Sequence, residues 1–149
     1  FQNLFSEVFG FSRNQKGIAP NNLLNYGYAI LRAVVARALV SSGMLPSVGI
    51  FHRNKYNAFC LADDIMEPYR IYVDALVYEI VETGCNIEEL SKTLKAELLR
   101  IPAMDVYIDG KWSPLMNAVS RTTSSLYDCF LGTNRKILYP EYTVNRSLE

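Results

Sequence analysis

The sequence of 149 residues lacks the features on which several large classes of protein depend. It has one histidine and three cysteines, and Cys60, Cys85 and Cys129 show neither CxxC nor metal-type spacing. An odd number of cysteines without such spacing indicates reduced thiols rather than a disulfide framework. No phosphate-binding loop, GxGxxG, GxSxG or HExxH motif occurs, which excludes the common nucleotide-binding, hydrolase and zinc-protease signatures.

Signals for export or membrane insertion are also lacking. The first residues have no basic region and no AxA-like cleavage site. The most apolar run, Ala29 to Val40, is short for a bilayer and carries Arg32 and Arg37. We therefore expect a cytoplasmic protein with no membrane partner. Because the chain begins with Phe1 inside an amphipathic pattern, we also expect it to be part of a longer protein.

The overall charge is balanced, with 15 basic and 15 acidic residues, so a globally basic nucleic-acid coat protein is excluded. The charges are unevenly distributed, however. Residues 1–60 hold six basic groups and one acid, and residues 61–149 hold nine basic groups and fourteen acids. This asymmetry is compatible with a polyanion partner for the first half, but an ordinary solvated surface is the interpretation that charge alone favours. With 50% hydrophobic residues, the chain can bury a core, which excludes intrinsic disorder.

Apolar periodicity predicts a mainly α fold, a single helical domain over residues 1–149 with five to six helices and one small β-hairpin near Asp109-Gly110. The first expected helix ends near Gly10, and the second spans Leu23 to Ser42 with Asn21 or Asn22 as its N-cap. A third helical segment runs from about 58–61 to Thr83, with a break at Glu67–Pro68. The last two helices cover Ile87 to Arg100, after an Asn86 cap, and Pro114 to Leu131. The tail from Thr133 is expected to be irregular.

The candidate chemistry centres on His52, the only histidine, and on the acids Asp63, Asp64 and Glu67. On a helix these acids share a face, and carboxylates near an imidazole can hold Mg²⁺ or Mn²⁺, of which Mn²⁺ tolerates the nitrogen ligand better. The cations Arg53 and Lys55 beside the histidine favour a phosphodiester substrate. A structural histidine with a solvated acidic turn is the alternative.

Three motifs occur in a characteristic order: LNYGY (Leu24–Tyr28), Gly49 followed three residues later by His52, and DIMEPYR (Asp64–Arg70). With them the chain resembles the CRISPR adaptation integrase family, the first of the two universal adaptation proteins, and is most similar to the version found with type II systems. The resemblance covers essentially the whole chain and is densest over residues 21–74.

The resemblance implies a metal-dependent bacterial enzyme that inserts short foreign DNA segments into a CRISPR array. A terminal 3′-hydroxyl of the incoming DNA would attack a phosphodiester at the edge of a repeat. His52 and Glu67 match two metal ligands of the family, and Asp64 would be a third or would orient one of them.

Further roles follow from the same resemblance. Arg53, Lys55 and Arg70 are candidate phosphate contacts, although Arg70 could instead pair with Glu67 or Asp63. Asn25 and Tyr28, on the LNYGY helix, would support the site, and core packing is the alternative for both.

Family members combine an N-terminal β-rich domain with a C-terminal helical domain, and this chain corresponds to the helical domain. The family's first ligand, a Glu, would lie upstream of Phe1. We therefore expect this fragment to hold no ordered Mg²⁺ or Mn²⁺ and to be inactive alone. The implied partners are DNA, a second copy of the protein in a homodimer, and the second, smaller adaptation protein. A helical DNA- or protein-binding scaffold without catalysis is the alternative function.

Overall fold

A 21-residue helix, α1 (Asn21–Ser41), lies at the centre of the fold. The computed structural model describes residues 19–50 and 56–142, and within these ranges each of the other four α-helices packs against α1. The elements that follow α1 are α2 (Cys60–Met66), a 3-10 turn (Glu67–Tyr69), α3 (Arg70–Glu82), α4 (Lys92–Leu98), a second 3-10 turn (Ile101–Ala103), β1 (Asp105–Ile108), β2 (Lys111–Pro114) and α5 (Leu115–Phe130). The predicted mainly α fold with one small hairpin is confirmed. The predicted helix ending near Gly10 lies outside the described residues.

The sides of α1 that face its neighbours carry Leu23, Leu31, Val35 and Leu39, each fully buried. By length and composition alone, α1 is also apolar enough to cross a bilayer. It extends beyond both ends of the apolar run Ala29 to Val40, which the sequence analysis considered too short for a membrane span. Within the described residues four helices pack on it, and 39% of its most apolar stretch lies buried. The absence of a membrane partner stays a prediction.

The ends of α1 differ in how well the sequence predicted them. The C-terminal end was predicted at Ser42, and Gly43 just after it has a φ of +79°, the left-handed conformation with which many helices end. The predicted N-cap is wrong, because α1 begins at Asn21 after Pro20 without a side-chain cap. The Asn22 amide instead donates to the carbonyl of Ile87 at 2.8 Å, which ties the start of α1 to the loop before α4.

The break predicted at Glu67–Pro68 is confirmed, since a 3-10 turn separates α2 from α3. Proline has no N–H to donate and so interrupts the α-helical hydrogen-bond pattern. Tyr69 ends this turn and is fully buried, and its hydroxyl forms a 2.7 Å hydrogen bond with the Thr122 hydroxyl of α5. Burial raises the pKa of Tyr69, so the phenol stays protonated at neutral pH. The turn is thus fastened to the core.

Tyr69→Phe tests this attachment. The substitution keeps the buried ring but leaves the Thr122 hydroxyl without its partner, so we expect the free energy of unfolding to fall by about 1 kcal/mol. Urea unfolding followed by circular dichroism measures the change. Tyr127→Phe is the control, because Tyr127 is a half-exposed tyrosine of α5. An unchanged midpoint in Tyr69→Phe would show that the hydrogen bond contributes nothing net.

The predicted helix over Ile87 to Arg100 is wrong in its first half. α4 spans only Lys92–Leu98, and its N-cap is Ser91, whose side chain accepts from the N–H of Leu94. Asn86 accepts instead from the N–H of Glu88, in a turn rather than a helix cap. The N–H of Ser91, which in a longer helix would donate to Ile87, donates instead to the carbonyl of Glu89 at 2.9 Å, while the Ile87 carbonyl accepts from Asn22.

The hairpin and the tail complete the fold. Asp109 and Gly110 both have positive φ, 51° and 76°, as the two central residues of a type I′ turn require. The expected irregular tail has no helix within the described residues, but it is fastened at several points. The N–H of Leu138 donates to the Ser125 hydroxyl at 2.9 Å, and the N–H of Glu141 donates to the carbonyl of Tyr107 at 2.9 Å.

Candidate active site

Of the three acids selected from the sequence, Asp63 and Asp64 lie in α2, and Glu67 begins the 3-10 turn that follows it. Asp63 has a structural role. It is only 6% exposed and faces α1, where one carboxylate oxygen lies 2.7 Å from Arg32 Nε. The other oxygen accepts from the Asn57 amide at 2.8 Å. Both oxygens of Asp63 are therefore used inside the fold, and the residue is a poor candidate for a metal ligand.

Asp64 is partly buried and points to the loop that leads to His52. Its Oδ2 accepts from the backbone N–H of Ile50 at 2.7 Å. Ile50 precedes His52 by two residues, a distance that an extended chain spans in about 7 Å. His52, Arg53 and Lys55 lie outside the described residues, so their convergence with the acids stays a prediction.

Glu67 is the most accessible of the three acids, with 54% of its side chain exposed. Its Oε1 lies 2.9 Å from Arg70 Nε, three residues later. Arg70 Nε is buried and makes no aligned hydrogen bond within the described ranges, so the contact with Glu67 is one of charge. Between the two partners considered for Arg70, the structure selects Glu67.

The two supporting residues predicted on α1 have different surroundings. Tyr28 presents its ring to the Arg70 guanidinium, 4.9 Å from the ring centroid, and its hydroxyl donates to the carboxylate of Asp74 on α3. Asn25, three residues earlier, is exposed to solvent. Tyr28 therefore belongs to the surroundings of Glu67, whereas Asn25 lies on the open side of α1.

Two residues near the acids were missed by the sequence reasoning. Asp74 was not singled out, although it lies four residues after Arg70 and so shares its helix face. Tyr139 comes from the tail, and its pKa is raised by burial first and then by its electrostatic interactions with Cys129 and Asp64. The spacing could have pointed to Asp74, but nothing local in the sequence announces Tyr139.

The donors present fit a hard divalent cation. Asp64 and Glu67 are carboxylates one helical turn apart, and carboxylate oxygens are the ligands that Mg²⁺ and Mn²⁺ prefer. Glu67 is open to solvent, as a residue that meets a metal and a substrate must be. Among residues 19–50 and 56–142, no three His, Cys, Asp or Glu side chains gather into a complete metal cluster.

Comparison with known proteins identifies the family. The family model of the CRISPR associated protein Cas1 matches residues 1–108, and the chain therefore belongs to this family. It is 38% identical over 138 residues to a CRISPR-associated endonuclease Cas1 of Neisseria meningitidis, covering 93% of this chain and 44% of that protein. A Cas1 endonuclease of Pyrobaculum aerophilum is 40% identical over 124 residues, with 82% of this chain and 42% of that protein covered. The chain spans less than half the length of these relatives.

A solved structure agrees with this assignment. A casposase bound to an integration product superposes with a TM-score of 0.71 and 26% sequence identity. The match covers 83% of this chain and 41% of the casposase chain. The helical fold described above is therefore shared with a casposase whose structure was solved in complex with an integration product.

Proposed function

We propose that this chain is the catalytic helical part of a metal-dependent DNA integrase and endonuclease of CRISPR adaptation. The observation that carries the proposal is the position of Asp64 and Glu67. In a chain of the Cas1 family they lie one turn apart, and Asp64 bonds the backbone two residues before the only histidine. Relatives of this chain are named endonucleases, and the structural neighbour is a casposase on its integration product.

In this proposal His52 and Glu67 are the metal ligands, and Asp64 binds the metal or orients His52 through the Ile50 backbone. A bound Mg²⁺ or Mn²⁺ supplies Lewis-acid stabilisation of the charge that develops on the reacting phosphodiester. Arg53 and Lys55 neutralise the DNA backbone next to the site. Arg70, which is paired with Glu67, orients that ligand rather than serving mainly as a phosphate contact.

The reaction is a transesterification in which phosphodiester bonds are conserved in number. The 3′-oxygen of the incoming DNA forms a bond to phosphorus at the edge of the repeat. The bond from that phosphorus to the 3′-oxygen of the nucleotide on its 5′ side breaks, and the departing oxygen takes up a proton. The protein's part is to hold the attacking hydroxyl and the phosphodiester in line.

The proposed partners follow from the function. They are DNA, a second copy of the protein and the second, smaller adaptation protein, all in the bacterial cytoplasm. The casposase neighbour on its product supports the DNA partner. The excess of basic residues in the first sixty positions is consistent with it.

A scaffold without catalysis is the second candidate function. It is favoured by one observation, that Asp63 and Glu67 each face an arginine, as acids in purely structural roles do. In that case the acidic turn would stabilise the fold, and its substitution would affect stability but no chemical step.

Strand transfer distinguishes the two functions. The assay joins a short DNA duplex to a repeat-containing plasmid in the presence of the smaller adaptation protein, with Mn²⁺ or with EDTA. It uses the full-length polypeptide that carries this sequence. We expect Mn²⁺-dependent product that EDTA abolishes and that His52→Ala reduces at least about tenfold. Equal product from His52→Ala would remove the histidine from the site and favour the scaffold.

A further inference from the structure

Asp74 lies outside the set of acids assigned to the metal, yet it anchors the residues around Glu67. It belongs to α3, and its carboxylate accepts a hydrogen bond from the Tyr28 hydroxyl of α1. A charged acceptor makes such a bond stronger than a neutral one would. The ring of Tyr28 is therefore fixed in place at its hydroxyl end.

The fixed ring in turn holds Arg70. The Arg70 guanidinium lies 4.9 Å from the centroid of the Tyr28 ring, within the range of a cation–π interaction. The hydrogen bond to the Asp74 carboxylate increases the electron density of the phenol, which strengthens the attraction of its face for a cation. Only 23% of the Arg70 side chain is exposed, so this contact is partly shielded from water.

The last contact joins Arg70 to Glu67. An ion pair three residues apart with a half-exposed carboxylate has too little energy to fix a side chain by itself. It acquires direction only because Arg70 is held from its other side. The series Asp74, Tyr28, Arg70 and Glu67 thus runs from the α1–α3 interface to the open carboxylate.

We propose that Asp74 is a positioning residue that sets the orientation of Glu67 through Tyr28 and Arg70. The inference rests on the proposed function, since it takes Glu67 as a metal ligand. Outer residues that orient metal ligands affect metal affinity 10- to 100-fold in other proteins. A tie between α1 and α3 that served only the fold would leave metal affinity unchanged.

The test measures Mn²⁺ affinity directly, by electron paramagnetic resonance titration of the full-length protein with Mn²⁺ alone. Tyr28→Phe keeps the ring and removes only the hydroxyl, and Asp74→Ala removes the acceptor. We expect each to raise the dissociation constant for Mn²⁺ about tenfold. The double variant should be no weaker than the weaker single one, because both changes break the same connection. Glu79→Gln, a change of an exposed acid on α3, should leave the constant within about twofold.

The outcomes separate this inference from the proposed function. An unchanged Mn²⁺ constant in Tyr28→Phe, with or without a lower melting temperature, would overturn the positioning role while the function stands. If the wild-type protein binds no Mn²⁺ and transfers no strand, the proposed function fails and the inference fails with it. Tyr28→Phe decides the matter if Asp74→Ala does not fold.

Discussion

Glu67→Gln is expected to reduce Mn²⁺-dependent strand transfer about 1,000-fold, the largest single effect that the structure predicts. Glutamine keeps the size of the side chain but loses the charge that a hard cation requires. The change also removes the partner of Arg70 Nε, which lies 2.9 Å from the carboxylate. Losing several kcal/mol of transition-state stabilisation corresponds to three powers of ten in rate. Single-turnover transfer at saturating DNA measures the loss.

The chain offers a matched control for this experiment. Glu97 and Arg100 form the same kind of pair, three residues apart, with 2.8 Å between Arg100 Nη1 and Glu97 Oε2. Glu97→Gln removes an equivalent charge from an ion pair that does not include the candidate ligands Asp64 and Glu67, and we expect strand transfer within about twofold of wild type. Comparable losses in the two variants would indicate a general effect of charge and contradict the metal role of Glu67.

Gly27→Ala is expected to lower the free energy of unfolding by about 1 to 2 kcal/mol. On an exposed helix the same change stabilises, by about 0.5 to 1 kcal/mol, because alanine restricts the unfolded chain. Here an added Cβ would lie 2.6 Å from Val73 Cγ1 on α3, far inside van der Waals contact. The overpacking, about 1–3 kcal/mol, outweighs the gain in helix propensity. Equilibrium urea unfolding gives the change.

A second substitution shows whether crowding is the cause. Val73→Ala removes the methyl group that the new Cβ would meet, so Gly27→Ala should cost less in that background than in the wild type. Asn25→Ala, at an exposed position two residues earlier on α1, should change stability by less than about 0.5 kcal/mol. Additive effects of the changes at residues 27 and 73 would contradict the close approach of α1 and α3 as the cause.

Much of the fold follows from local signals that the chain states clearly. The long apolar α1, the break before Pro68 and the Asp109-Gly110 turn each depend on the residues within the element itself. The helix over Ile87 to Arg100 was predicted too long because its apolar period continues upstream of the Ser91 cap, where the chain is no longer helical. The Asn22 side chain, 65 residues earlier in the sequence, bonds the carbonyl of Ile87, and such a tertiary contact is invisible to periodicity.

The candidate site divides in the same way. The proximity of Asp64 and Glu67 could be predicted from the sequence, because their spacing puts them on one face of a helix. The structural role of Asp63 could not be predicted, because it depends on hydrogen bonds from Arg32 and Asn57, which come from other segments of the chain. The positions of His52, Arg53 and Lys55 stay predictions.

Because Pro68 lies in the 3-10 turn at Glu67–Tyr69, a substitution at position 68 would change the direction of the Glu67 side chain without replacing its carboxylate. A 3-10 helix repeats every three residues, so side chains three apart are eclipsed, whereas an α-helix rotates them by about 60°. Pro68 has no N–H to continue the hydrogen-bond pattern of α2, so it fixes the point at which the chain leaves that helix between Glu67 and Arg70. Under the metal role proposed for Glu67, a substitution at residue 68 would turn an unchanged carboxylate, so directed evolution would reach metal preference through this position before any ligand is replaced.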